Sequence, residues 1–218
     1  MGMGNMKKTV YDSRARKYDS WYDRNPAVYT SEMGAIRKLM PPGIGKNAIE
    51  IGVGTGRFAA ELGITHGLDP SASMLEIAAR RGVWCIKGVS EALPVKSSSM
   101  ELVLIVTSFC LMDAEPTLEE IYRVLTPEGS FIIAFVEKNS ILGRKYRKKA
   151  PKSRFYMNIS FRTTEDMISI LEEHGFGDIT VTQTLFKPLN LIREPEKAEN
   201  GFGRGSFIVI MAKRMKNG

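Results

Sequence analysis

Apolar positions along this chain fall into two rhythms, short unbroken runs and stretches where they recur every three or four residues. The runs at 48–51, 66–68, 83–87, 101–106, 130–136, 178–186 and 206–212 read as strands. Helical spacing covers 58–62, then 71–81 with Ser71 as N-cap and Met74, Leu75 and Ala78 facing inward. It returns over 117–125 through Leu118, Ile121, Tyr122 and Leu125, and over 164–174 through Met167, Ile168, Ile170 and Leu171. Residues 7–40 are helix-like, with Val10, Ala15, Tyr18, Trp21 and Tyr22 among charges, and Pro41-Pro42-Gly43 ends them. Pro127-Glu128-Gly129 reads as a turn into the fifth strand, and 187–205 as a long polar connection.

The runs at 101–106 and 130–136 are apolar on both faces, which places them in a parallel sheet covered by helices on either side. The alternation then stops, and two closing strands suggest an antiparallel hairpin at one sheet edge. With 218 residues and 43% hydrophobic content, the chain suits one α/β domain and is short for two. The expected division is a helical cap at 7–40, a core at 45–136, an insertion at 137–163, and a closing helix and hairpin at 164–218.

No stretch approaches the ~18 to 20 apolar residues that span a bilayer, and residues 1–8 lack an apolar signal core, so a cytoplasmic protein without a membrane partner is expected. Met6 stands where myristoylation wants Ser or Thr. The 2 cysteines do not make a disulfide or metal framework; Cys85 reads as a small buried residue and Cys110 as a loop residue near the site. The net charge of +7 is partly local: Arg144, Lys145, Arg147, Lys148, Lys149, Lys152 and Arg154 crowd one segment. That run reads as a solvated surface or as a patch for nucleic acid.

The candidate chemistry starts at Ala48-Ile49-Glu50-Ile51-Gly52-Val53-Gly54-Thr55-Gly56-Arg57, followed by Gly67-Leu68-Asp69-Pro70-Ser71. Glycines at alternate positions let a loop turn sharply and approach an adenosyl group, and Asp69 stands where a carboxylate can accept both ribose hydroxyls. The dinucleotide fingerprint needs G-x-G-x-x-G, and Arg57 occupies its third glycine, which disfavours nicotinamide redox chemistry. What stands here, E-x-G-x-G-x-G, resembles the first motif of class I S-adenosylmethionine-dependent methyltransferases.

Further segments carry the resemblance. Asp69-Pro70-Ser71-Ala72-Ser73-Met74 matches the acid and the D-x-S-x-x-M that follow strand two, and Gly88-Val89-Ser90-Glu91-Ala92-Leu93-Pro94 is similar to G-D-A-E-x-L-P. The stretch around 114–129 resembles a scaffold segment of the small-molecule type 11 methyltransferases, similar to those of ubiquinone and menaquinone biosynthesis. Tyr11-Asp12-Ser13-Arg14-Ala15-Arg16-Lys17-Tyr18-Asp19-Ser20-Trp21-Tyr22 is similar to their N-terminal cap. The resemblance implies a Rossmann-like seven-stranded, mostly parallel sheet of order 3-2-1-4-5-7-6 with strand 7 antiparallel.

It further implies S-adenosyl-L-methionine as cofactor, S-adenosyl-L-homocysteine as product, and a small-molecule acceptor. Glu50 would face the methionine ammonium, Gly52, Val53, Gly54 and Gly56 the adenosyl group, Asp69 and Pro70 the ribose, and Met74 the adenine. Val89 replaces the usual Asp of its segment, so the backbone of Val89 and Ser90, or the side chains of Ser90 and Glu91, would recognise the base. Thr107 and Phe109 occupy the carboxyl end of strand four, where open α/β sheets place ligands. Tyr18 would close over the methionine end, and Trp21 or Tyr22 would wall the acceptor site or belong to the core. Asp113, Tyr18, Tyr22 and Tyr146 are candidate proton acceptors or orienters, since an activated donor asks mainly for positioning. His66 and His174 read as structural, and no metal site or Ser-His-Asp set is apparent. The alternatives are RNA or protein methylation through the basic 144–154 segment with Tyr146, Phe155 and Tyr156, and a non-catalytic S-adenosylmethionine-binding module.

Overall fold

The computed structural model describes residues 13–43, 47–150 and 159–216. It opens with α1 (Ala15–Arg24) and α2 (Pro26–Leu39). Pro26 has no amide to donate and takes the first position of α2, while Asn25 Nδ2 donates to Trp21 O at 2.7 Å across the break. The helix-like stretch is thus two helices; Val10, Tyr11 and Asp12 lie outside the described residues.

There follow β1 (Ala48–Ile51), α3 (Arg57–Leu62), β2 (His66–Asp69), α4 (Ala72–Arg80), β3 (Trp84–Lys87) and β4 (Met100–Val106). A 3-10 turn at Phe109–Leu111 leads to α5 (Ala114–Val124), β5 (Leu125–Val136), α6 (Ile141–Lys149) and α7 (Thr164–Glu173). The chain closes with β6 (Phe176–Thr184), β7 (Glu199–Asn200) and β8 (Phe207–Arg214). Ser71 caps α4 by accepting from Met74 N at 3.3 Å, and Thr163 with Asp166 forms a capping box on α7.

The strands form one sheet of order β3-β2-β1-β4-β5-β8-β6-β7, parallel from β3 to β5. β8 runs antiparallel between β5 and β6, as expected for the strand that closes the hairpin. Alternation sorts the central strands between two cores. Leu102, Leu104 and Val106 face α1 to α4, whereas Val103 and Ile105 face α5 and α7. The carboxyl ends of β1, β2 and β4 therefore converge beneath the cap helices.

Four expectations are corrected. The sheet has 8 strands rather than seven, because Glu199 and Asn200 pair with Gln183 and Thr182 at its outer edge. A two-residue, exposed, polar strand carries no period to read. Residues 127–129 do not precede β5 but loop out within it, between the pairs Met100/Leu125 and Leu102/Ser130, so Leu125 belongs to the strand and not to α5. Cys85 is only half-buried, since β3 is an edge strand with Trp84 74% exposed beside it. Finally α6, whose apolar face is limited to a few positions, lies in the segment assigned no element.

Candidate active site

The glycine loop is fastened to the neighbouring strand before it turns: the amides of Gly52 and Val53 both donate to Leu68 O, at 2.7 and 3.0 Å. At Gly52, with φ of 70°, a Cβ would stand 2.4 Å from Ser108 Oγ, so only glycine lets the loop after β4 come this close. Gly54, at φ 52°, lies beneath the ring of Tyr18. Gly56 packs against Ala78 of α4 and is committed to the scaffold.

Asp69 ends β2 with its carboxylate oriented by two amides. Gly54 N donates to Oδ2 at 2.9 Å and Ser71 N to Oδ1 at 2.8 Å. Pro70 follows at the turn, and Met74 is buried in the first turn of α4. Glu50 is 2% exposed, and its Oε2 has no hydrogen-bond partner among the described residues. Burial pushes its carboxyl well above the usual range, the Asp69 charge adds to this, and a hydrogen bond from the Ala59 amide works against it.

Val89 points outward, 48% exposed. Ser90 Oγ accepts from Thr117 Oγ1 at 2.9 Å, and Glu91 Oε1 accepts from Asp113 N at 3.0 Å. Both side chains therefore brace the start of α5. Thr107 leaves β4 with φ of 54° while its amide donates to Ala134 O, and Phe109 is buried in the turn behind it. Cys110 Sγ donates to Thr107 O, close to the site as expected.

Of the candidate proton-transfer groups, the fold brings two together. Tyr18 and Tyr22 share a hydroxyl hydrogen bond of 2.9 Å, and the Tyr18 hydroxyl also bonds the side chain of Thr107. Burial pushes the Tyr18 phenol up to about 12, with the Glu32 and Glu50 charges adding to it. Tyr22 is raised for the same main reason. Both phenols stay protonated at neutral pH, which suits them to orienting rather than accepting a proton. Asp113 stands exposed at the N-cap of α5, and Tyr146 half-buried on α6, apart from that pair in sequence and element. His174 is held by Ile170 O and Glu115, and His66 by Thr65, in structural positions.

Two groups were not singled out by the sequence reading. Asp19 on α1 accepts from Arg57 Nε at 2.7 Å and Nη2 at 3.0 Å, and from Arg81 Nη2 at 2.9 Å; Arg57 also reaches Asp23 at 2.7 Å. This latch ties the cap to α3 and α4. Arg57 had served only as a departure from the dinucleotide pattern. The second is Glu32, 6% exposed on α2. Its signal was present, since Val28, Glu32, Ile36 and Leu39 share one helical stripe.

The cations Arg144, Lys145, Arg147, Lys148 and Lys149 of α6 are exposed; Lys152, Arg154, Phe155 and Tyr156 lie outside the described residues. Among the described residues no helix is long and apolar enough to cross a membrane, and no metal-binding cluster is found.

Residues 49–133 match the family model of a methyltransferase domain. An uncharacterized protein of Methanocaldococcus jannaschii is 38% identical over 207 residues, 94% of this chain and 99% of the relative. An uncharacterized methyltransferase-like protein of Schizosaccharomyces pombe is 30% identical over 185 residues, 77% of this chain and 67% of that protein. A crystal structure from Thermotoga maritima, described as an S-adenosylmethionine-dependent methyltransferase and possible histamine N-methyltransferase, superposes with a TM-score of 0.90 at 39% identity, over 94% of this chain and 99% of that one.

Proposed function

We propose, starting from a chain that belongs to the class I S-adenosylmethionine-dependent methyltransferases and is an enzyme of that cofactor, that its methyl acceptor is a small molecule held under the α1 cap. The observation that carries this reading is the cap itself. Its Tyr18 ring covers Gly54, its buried hydroxyl pair meets Thr107, and a shielded ion network latches it to the core. Such a roof favours a compact acceptor over a polymer. The nicotinamide alternative falls with the family match.

The residues fit the cofactor. The partnerless Glu50 Oε2 would receive its ammonium, the oriented Asp69 carboxylate its ribose hydroxyls, and the Gly52–Gly54 backbone its adenosyl chain. With Ser90 and Glu91 side chains engaged on α5, the adenine edge would be met by backbone of residues 89–90, beside Met74. When bound, the cofactor supplies a methyl group already activated on a sulfonium. The chain's task is then to position an acceptor, exclude water and hold its proton-bearing groups in place.

Incubation with methyl-tritiated S-adenosylmethionine tests this, offering amines, phenols, thiols and carboxylates beside total RNA and protein. Label in a small molecule is expected, and its appearance only in RNA or protein would overturn the reading. Calorimetry should show binding of S-adenosylmethionine and S-adenosylhomocysteine that is lost in Asp69→Ala. The exposed α6 cations favour a second reading, RNA methylation, which predicts salt-dependent RNA binding lost on neutralising Lys145, Lys148 and Lys149.

A further inference from the structure

A cavity of about 420 Å³ lies between the start of α1 and the outer face of α4. Arg14, Arg16 and Lys17 line it from α1, and Ser73, Glu76 and Arg80 from α4. Four cations from two helices thus converge on a space that holds a single carboxylate. Among the described residues none of Arg16, Lys17, Arg80 and Glu76 forms a salt bridge. The carboxylates of α1 itself are engaged elsewhere, Asp19 with Arg57 and Arg81, and Asp23 with Arg57. The first turn of α1 also contains no acid, so Arg16 and Lys17 add positive charge to the positive end of the helix dipole.

Exposed cations along one helix are an ordinary solvated face. These differ because two packed helices turn them towards each other across one cavity, where like charges repel unless an anion lies between them. The cavity has the size of a small-molecule pocket. Arginine forks match the oxygens of a phosphate with paired N–H donors, and a phosphate brings up to two negative charges where a carboxylate brings one. Met74, Leu75 and Ala78 are buried on the inner face of α4, so this cavity is separate from the cofactor loop.

Its position gives an occupant a consequence. Arg80 adjoins Arg81, which donates to Thr55 O at 2.6 Å and to Asp19 Oδ2 at 2.9 Å. Lys17 adjoins Tyr18, whose ring covers Gly54. An anion held by Arg16, Lys17 and Arg80 would therefore join the same helix and the same end of α4 as the Asp19 latch.

We propose that the cavity between α1 and α4 binds a phosphate group, free or carried by a small phosphate ester, and that its occupant holds the cap closed over the cofactor. The site lies outside the acceptor pocket, and only its coupling to the cofactor rests on the methyltransferase reading.

The test titrates the full chain by calorimetry, at constant ionic strength, with inorganic phosphate, pyrophosphate, ribose 5-phosphate and an RNA oligonucleotide. At least one of the three small phosphates should bind with a Kd below about 1 mM, the first two marking a free anion and ribose 5-phosphate an ester. The double variant Arg16→Gln with Arg80→Gln should lose about tenfold or more of that affinity. Lys96→Gln with Lys197→Gln removes the same charge from exposed positions outside the cavity and should lose less than about twofold. The small phosphate that binds should tighten S-adenosylhomocysteine by about fivefold in the wild type and not in the cavity variant.

A wild type that binds none of the three small phosphates overturns the proposal without recourse to a variant. Equal losses in the two double variants, which mark a general charge effect, overturn it as well, and so does binding of RNA alone. Phosphate binding that leaves S-adenosylhomocysteine affinity unchanged overturns the role in holding the cap. A wild type that binds phosphate in this cavity but no S-adenosylhomocysteine refutes the methyltransferase reading instead.

Discussion

Replacing Asp19 by Asn should unfasten the cap, and its effect can be worked from the network around it. Burial of Asp19 opposes ionisation, yet hydrogen bonds from Arg57, Arg81 and Thr55 outweigh it and hold the carboxyl at about 2 against an ordinary 3.8. At about 1.4 kcal/mol per tenfold in proton affinity, that difference contributes about 2.5 kcal/mol to the folded state. The side chains of Asp19 and Arg57 are only 17% and 15% exposed, so solvent screening removes little of it. Asp19→Asn should therefore lower stability at pH 7 by about 2.5 kcal/mol, or Tm by about 5–10 °C for a chain of this size. Asp23, 64% exposed, serves as control, and Asp23→Asn should cost under about 1 kcal/mol. Because the folded Asp19 binds its proton less tightly than the unfolded one, its contribution is complete above about pH 4 and disappears as pH falls towards 2. Urea unfolding of wild type and variant between pH 7 and pH 2.5 measures both effects. A loss below about 0.5 kcal/mol, a loss matched by Asp23→Asn, or a gap that does not narrow in acid would refute the reasoning.

Glu50→Gln should leave Tm unchanged or higher, since a buried charge is removed, while S-adenosylmethionine affinity measured by calorimetry falls by about tenfold or more; lost stability with unchanged affinity would assign Glu50 to the fold. Gly52→Ala forces a Cβ to 2.4 Å from Ser108 Oγ at φ 70° and should cost about 1–3 kcal/mol in denaturant unfolding, with partial rescue by Ser108→Gly. Glu32 binds its proton more tightly when folded, so its stabilising effect is complete below about pH 4.5 and fades as pH rises through about 8. Wild-type stability should accordingly fall relative to Glu32→Gln across that window, and coincident pH profiles would contradict it.

Much of this architecture was readable because the relevant signals are local. The unbroken runs at 101–106 and 130–136 and the three-and-four spacing of α5 and α7 record burial on two faces or one, and the structure has strands and helices there. Ser71 as a cap and Asp69 beside the glycine loop were likewise legible, because capping and tight turns depend on a few neighbouring residues. The misreadings share the opposite property. β7 exists only because β6 offers it an edge, and residues 126–129 loop out because β4 and β5 continue pairing on both sides of them.

What the sequence determined by itself is the alternation of elements and the chemistry of the glycine loop, since hydrophobic period, capping and backbone freedom act within a few residues. Only the tertiary structure decided which distant charges meet. Arg57 at the start of α3 and Arg81 just past the end of α4 close on Asp19, and Ser90 and Glu91 turn to α5. Those encounters depend on how helices seat against the sheet, and a carboxylate acquires its partner, or goes without one, in the desolvated space they enclose.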